Sequence, residues 1–129
     1  MSTVLVVDDE GEVLRLVETL LIRQGHTVIT APNGERAIEK IRKLGTPPDL
    51  LLSDVVMPGL SGPMLAEQLR SSFPQLKVLF MSAYEDRQVV RRYVKDPGFS
   101  LIGKPFQNAE LTAKVTELLN GSAAAPSEA

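Results

Sequence analysis

Apolar positions in this chain fall into short unbroken runs that alternate with longer stretches of three-to-four-residue spacing. Val4–Val7, Leu50–Leu52 and Val78–Met81 are runs of the first kind. Bounded by turn residues, such runs read as strands buried on both faces. Thr3 to Val7 is thus the first predicted strand. Val13, Leu14, Leu16, Val17, Leu20 and Leu21 then recur at helical spacing and predict an amphipathic helix from Glu10 to Gln24, with Gly25 as its terminator. His26 to Ala31, short and β-branched, predicts a second strand. Asn33 is the natural N-cap of a helix that runs to Leu44 with Ala37, Ile38 and Ile41 on its inner face. Gly45-Thr46-Pro47-Pro48 breaks that helix ahead of the central strand, Asp49 to Ser53.

The alternation continues downstream. Ser61-Gly62-Pro63 opens a third helix whose buried stripe is Leu65, Leu69 and Phe73, and Pro74 stops it. Leu76 to Met81 is a fourth strand ending at Ser82. Val89, Val90, Tyr93 and Val94 mark a short fourth helix closed by Asp96-Pro97-Gly98. Phe99 to Ile102 is a fifth strand ending at Lys104-Pro105, and Leu111, Val115, Leu118 and Leu119 stripe a fifth helix. Gly121 to Ala129 has little to bury, so one domain is expected over 1–120 and a disordered tail or linker stub over 121–129. Five strands alternating with five helices imply an α/β fold, a doubly wound five-stranded parallel sheet covered on both faces. Right-handed crossovers with one reversal give the strand order 2-1-3-4-5, which sets strand one beside strand three.

Composition narrows the picture mainly by exclusion. At 129 residues the chain suits one domain with a real core. A formal charge of −2 gives no electrostatic footprint for nucleic acid or an anionic membrane. The absence of cysteine excludes disulfides and thiolate chemistry. No apolar stretch approaches the roughly 20 residues that cross a bilayer, and no signal segment precedes the first strand, so a cytoplasmic location is expected.

The candidate chemistry sits where strands end. The predicted order brings Asp8, Asp9 and Asp54 together at one edge, with Ser82 and Lys104 closing the fourth and fifth strands there. Clustered carboxylates repel one another, and a hard divalent cation such as Mg²⁺ relieves that repulsion through oxygen ligands. A carboxylate is also a competent nucleophile toward phosphorus and yields an acyl phosphate. Phosphoryl transfer otherwise needs positioning and charge neutralisation, here from the metal, the Lys104 ammonium and the Ser82 hydroxyl. No nucleotide-binding glycine loop accompanies them, so the phosphoryl donor must come from elsewhere. Taken singly, each residue has a plainer reading. Paired acids commonly start a helix, a lone lysine is usually a surface residue, and serine caps turns. Their joint occurrence at successive strand ends favours a working site. His26, the sole histidine, belongs to a loop on the opposite edge and is not a phosphohistidine donor.

Asp8-Asp9 after the first strand, Asp54 with Met57-Pro58-Gly59, Ser82-Ala83 and Lys104-Pro105 together resemble a receiver (response-regulator) domain of two-component signalling, over essentially all of Thr3 to Leu119. The resemblance implies the flavodoxin-like receiver fold and a phosphorelay function: Mg²⁺-dependent acceptance by Asp54 of a phosphoryl group from a phosphohistidine, followed by conformational signalling or onward transfer. It implies metal ligation by the Asp9 and Asp54 carboxylates and the Val56 main-chain carbonyl, with Asp8 acting through water and Mn²⁺ as a substitute ion. Ser82 would turn toward the phosphoryl group, Lys104 would bind its oxygen, and the Lys104–Pro105 peptide would be cis. The implied partner is a histidine kinase or histidine phosphotransfer protein, with no direct contact to nucleic acid or membrane, the domain being a monomer or weak dimer. Such a domain catalyses its own phosphorylation and slow aspartyl-phosphate hydrolysis but is not a turnover enzyme alone.

Two departures qualify the match. Where receivers that signal through the fourth helix and fifth strand carry Tyr or Phe, this chain has Leu101, which puts an aromatic switch in question and makes Tyr84 a candidate gate. The segment from Met81-Ser82-Ala83-Tyr84 to Lys104-Pro105-Phe106 is similar to receivers attached to hybrid sensor histidine kinases, which sets a hybrid-kinase parent chain beside a free-standing receiver as the two contexts the resemblance allows. Leu101 also leaves a competing reading, a receiver-like interaction module that works without phosphorylation. A metal-dependent phosphohydrolase is disfavoured because Val56 stands where its acid/base aspartate would be.

Overall fold

The computed structural model describes residues 2–83 and 99–124. Within them the chain runs β1 (Thr3–Val7), α1 (Gly11–Arg23), β2 (Thr27–Ala31), α2 (Gly34–Leu44), β3 (Leu50–Asp54), α3 (Gly62–Ser72), β4 (Lys77–Ser82), β5 (Phe99–Gly103) and α4 (Asn108–Ala124). All five strands are parallel, in the order β2-β1-β3-β4-β5. Four helices fall among the described residues. The helix expected around Val89, Val90, Tyr93 and Val94 lies outside them, as does Tyr84. α4 continues through Ala124, past the expected boundary at 120. One glycine costs a helix only about 1 kcal/mol, and Ala123 and Ala124 are the best helix formers.

Strand alternation explains why the apolar runs are unbroken. Leu5, Val7, Leu51, Val78 and Phe80 face one side, against Ala37 and Ile41 of α2 and Leu65, Ala66 and Leu69 of α3. Val4, Val6, Leu50, Leu52, Leu79 and Met81 face the other, against Val17, Leu20 and Leu21 of α1 and Leu111 and Val115 of α4. Each residue of these runs therefore enters a core, and burying each large side chain stabilises the fold by about 1.5–3 kcal/mol. Leu101, half-buried, packs on the α2/α3 side.

Helix ends follow the local chemistry. The Asn33 side chain accepts the Arg36 N–H at 2.8 Å, and Ser61 accepts the Met64 N–H at 3.2 Å ahead of Pro63. Gly45 ends α2 in the left-handed region at φ 79°. The register then fixes the functional edge. Val7 lies opposite Ser53, Ser53 opposite Phe80, and Phe80 opposite Leu101. One residue beyond that rung the chain reaches Asp8, just past the end of β1, and Asp54, the last residue of β3, with their carboxylates close together.

Candidate functional site

Three carboxylates and one ammonium converge at the carboxyl ends of β1, β3 and β5. Oxygen atoms of Asp8, Asp9 and Asp54 lie within 4.8 Å of one another. Asp8 is fully buried and Asp54 nearly so, whereas Asp9 is exposed at the rim. Lys104, carried in by the turn after β5, places Nζ 3.1 Å from Asp8 Oδ2 and 3.4 Å from Asp54 Oδ1. The Lys104 N–H donates to the Ser82 carbonyl at 2.9 Å, tying that turn to the end of β4, and the Lys104–Pro105 peptide is cis.

Each buried acid is held by the backbone. Asp8 Oδ1 accepts the Glu10 N–H at 2.9 Å, and Asp54 Oδ1 accepts the Val55 N–H at 2.9 Å. Asp54 Oδ1 thus takes both the Val55 N–H and the nearest approach of the Lys104 ammonium. Burial, and then the Asp8 charge, push the Asp54 carboxyl up to about 6, only partly opposed by Lys104 and the Val55 N–H. Burial also raises Asp8, against the Glu10 N–H and Lys104. For Lys104 burial works to lower the pKa, but the Asp8 hydrogen bond and the Asp8 and Asp54 charges outweigh it, and the net direction is up. Negative charge thus exceeds what the one Lys104 ammonium balances. An all-oxygen donor set under mutual repulsion suits a hard divalent cation.

The remaining predicted residues are placed as follows. Ser82 is fully buried beside the site, and its Oγ donates to the Ala83 carbonyl at 3.0 Å. Val56 is exposed, two residues past Asp54 in the turn leading to α3. His26 precedes β2 on the opposite edge. A cavity of about 420 Å³ lined by Pro47, Pro48, Phe73 and Leu119 also lies on that opposite edge, away from the carboxylates.

Two contributors escaped the sequence reading. Gly62 opens α3 so close to β3 that a Cβ there would collide with the Asp54 carbonyl oxygen, while its N–H donates to the Val55 carbonyl at 2.8 Å. The nearby glycine-proline punctuation was legible, but close approach to Asp54 is a tertiary fact. Glu10 places Oε1 3.6 Å from Lys104 Nζ, a fourth carboxylate at the site. Its position directly after Asp8-Asp9 was the available signal.

A doubly wound parallel sheet with an acidic cluster and a lysine at its switch point defines a class: the open α/β domains that carry their site outside the carboxyl ends of the strands. The profile of the family described as "Response regulator receiver domain" matches residues 4–116. The chain belongs to that family and is a receiver domain of two-component signalling. It is 37% identical over 118 residues to sensor kinase CckA of Brucella abortus, covering 92% of this chain and 12% of that protein. It is 36% identical to hybrid signal transduction histidine kinase D of Dictyostelium discoideum, covering 90% of this chain and 7% of that one. The crystal structure of the receiver domain from hybrid histidine kinase CckA superposes with a TM-score of 0.77 at 29% identity, over 91% of this chain and 98% of that chain. The chain thus spans about an eighth or less of the length of these curated relatives. Receiver domains take phosphoryl groups from histidine kinases or phosphotransfer proteins. Among the described residues, no helix is long and apolar enough to cross a membrane.

Proposed function

We propose that this receiver accepts a phosphoryl group on Asp54 from a phosphohistidine and relays it as a conformational signal or by onward transfer. The observation that carries the reading is Lys104 Nζ 3.4 Å from Asp54 Oδ1 with Asp8 and Asp9 beside them. An Asp54 carboxylate oxygen attacks phosphorus; the O–P bond forms as the P–N bond breaks, and the electron pair returns to the imidazole nitrogen, which takes a proton from solvent. Lys104 neutralises charge on the phosphoryl oxygens and holds them in place. The Ser82 hydroxyl leaves the Ala83 carbonyl to donate to the same group, and the loss of that contact couples the site to the segment that follows β4.

Asp9, Asp54 and the Val56 carbonyl, with Asp8 through water, are the proposed ligands of Mg²⁺. When bound, the ion supplies neutralisation of the acidic cluster and of the phosphoryl oxygens. The parent chain is a cytoplasmic hybrid kinase with this unit at 1–120, and the donor is its own or a cognate phosphohistidine. Acetyl phosphate with Mg²⁺ is expected to add one phosphoryl mass to the protein, and Asp54→Asn to abolish it. No mass gain on the wild-type chain would overturn the reading.

A further inference from the structure

Glu10 occupies the N-cap position of α1 yet does not cap it. Its backbone is extended (φ −95°, ψ 112°), and its side chain makes no hydrogen bond to the first turn. Shorter side chains are the usual choice there, because they reach the free N–H groups and add about 1 kcal/mol. The Glu10 carboxylate instead reaches Lys104, Oε1 to Nζ 3.6 Å. A local helix rule is broken, and the atoms released from it are spent at the site.

The single Lys104 ammonium is shared by three carboxylates, at 3.1 Å (Asp8), 3.4 Å (Asp54) and 3.6 Å (Glu10). Asp8 and Asp54 are buried and each is fixed by a backbone N–H. The Glu10 side chain is 64% exposed and Lys104 only 18%, so Glu10 draws the ammonium toward the rim and the other two draw it inward. A phosphoryl group on Asp54 adds a charge of about −1.5 to −2 and needs that same ammonium. Glu10 then acts twice in one direction: it competes for Lys104 and it repels the new anion.

Resting on the Asp54 phosphoacceptor reading, we propose that Glu10 is a positioning residue that holds Lys104 toward the rim of the resting site and thereby disfavours the phosphorylated state. It touches neither the phosphorus nor the reacting oxygen and works only through Lys104 and through charge. The contact is an exposed ion pair, so its effect is modest and sensitive to salt.

The test uses beryllofluoride, a stable mimic of an aspartyl phosphate, titrated into the chain at saturating Mg²⁺ so that metal affinity does not enter. Glu10→Gln is expected to bind it about two- to fivefold more tightly than wild type at low ionic strength, the range set by exposed ion pairs. That gain is expected to vanish near 1 M KCl, where the screening length falls to about 3 Å. Glu10→Asp, with the same charge and a shorter reach, is expected to give a smaller gain. Equal or weaker binding by Glu10→Gln, a gain indifferent to salt, or Glu10→Asp behaving as wild type would overturn the proposal while leaving Asp54 as acceptor. Wild-type protein that fails to bind beryllofluoride would overturn both.

Discussion

Replacing Asp54 by Asn removes a charge that the native state holds at a cost. The Asp54 side chain is 11% exposed, and burial followed by the Asp8 charge raises its carboxyl from 3.8 to about 6. Such a rise means that ionising this group costs the folded state about 3 kcal/mol more than the unfolded one. The raised acid binds more protons folded than unfolded, so its contribution favours folding below pH 3.8 and is lost as pH climbs through about 6. An asparagine side chain in its place is neutral at every pH and can still accept the Val55 N–H, but Lys104 gives up one of its counter-charges. The net gain for Asp54→Asn in metal-free protein at pH 7 is therefore about 1–3 kcal/mol, or about 4–10 °C in melting temperature for a domain of this size. Melting both proteins in chelator from pH 4 to pH 8 measures it. The two curves should meet at the acid end and separate as pH rises, and added Mg²⁺ should close the gap by stabilising the wild type alone. A variant no more stable than wild type at pH 7, or a gap that widens toward acid, would refute the account of a repulsive resting site.

Three further outcomes follow from particular contacts. Gly62→Ala drives a Cβ into the Asp54 carbonyl oxygen, so a loss of about 2 kcal/mol or more in urea unfolding is expected, with phosphoryl acceptance impaired beyond what instability explains. Lys104→Met leaves Asp8 fully buried without its cation; stability should fall by about 3 kcal/mol at pH 8 and by less at pH 5, where the acids can protonate, as read by thermal melts at both pH values. Phe99→Ala removes an edge-to-face contact with Phe80 (centroids 5.7 Å apart, 81°) and the ring beneath the Arg70 guanidinium at 4.5 Å. That should cost about 2–4 kcal/mol in denaturant, while the rate of phosphorylation by acetyl phosphate in the folded fraction stays near wild type.

What the sequence made legible was whatever local chemistry decides. Asn33 and Ser61 cap the helices expected of them because a short polar side chain before an apolar stripe has one good use. The strand order followed from continuous apolar runs, which demand cover on both faces, and from crossover handedness. Together these put Asp8 beside Asp54 before any coordinates. Gly62 and Glu10 were illegible for the opposite reason. Their roles depend on which backbone and which ammonium lie within 4 Å, and no periodicity encodes that. Strand ends also moved by a residue: β3 extends through Asp54 because its parallel pairing with β4 continues to Met81. The acid is thereby held in the ladder and not in the free turn after it.

That last placement matters to how the domain works. A carboxylate on a flexible turn would swing toward water and lose most of its strain. Asp54 is pinned by β4 on one side, by the Val55 N–H at its own Oδ1, and by α3 pressed against its carbonyl through Gly62. Asp8, equally pinned, cannot retreat from it. Repulsion therefore persists in the resting state, and relief must come from outside: a cation, a proton, or a rearrangement of Lys104. The same rigidity that keeps the carboxylates in mutual repulsion makes cation or phosphoryl binding there consequential, because only groups that cannot relax on their own transmit a change of charge to the elements that hold them. If Asp54→Asn leaves the metal-free melting temperature untouched, the site relaxes freely, and charge at Asp54 has no lever on the fold.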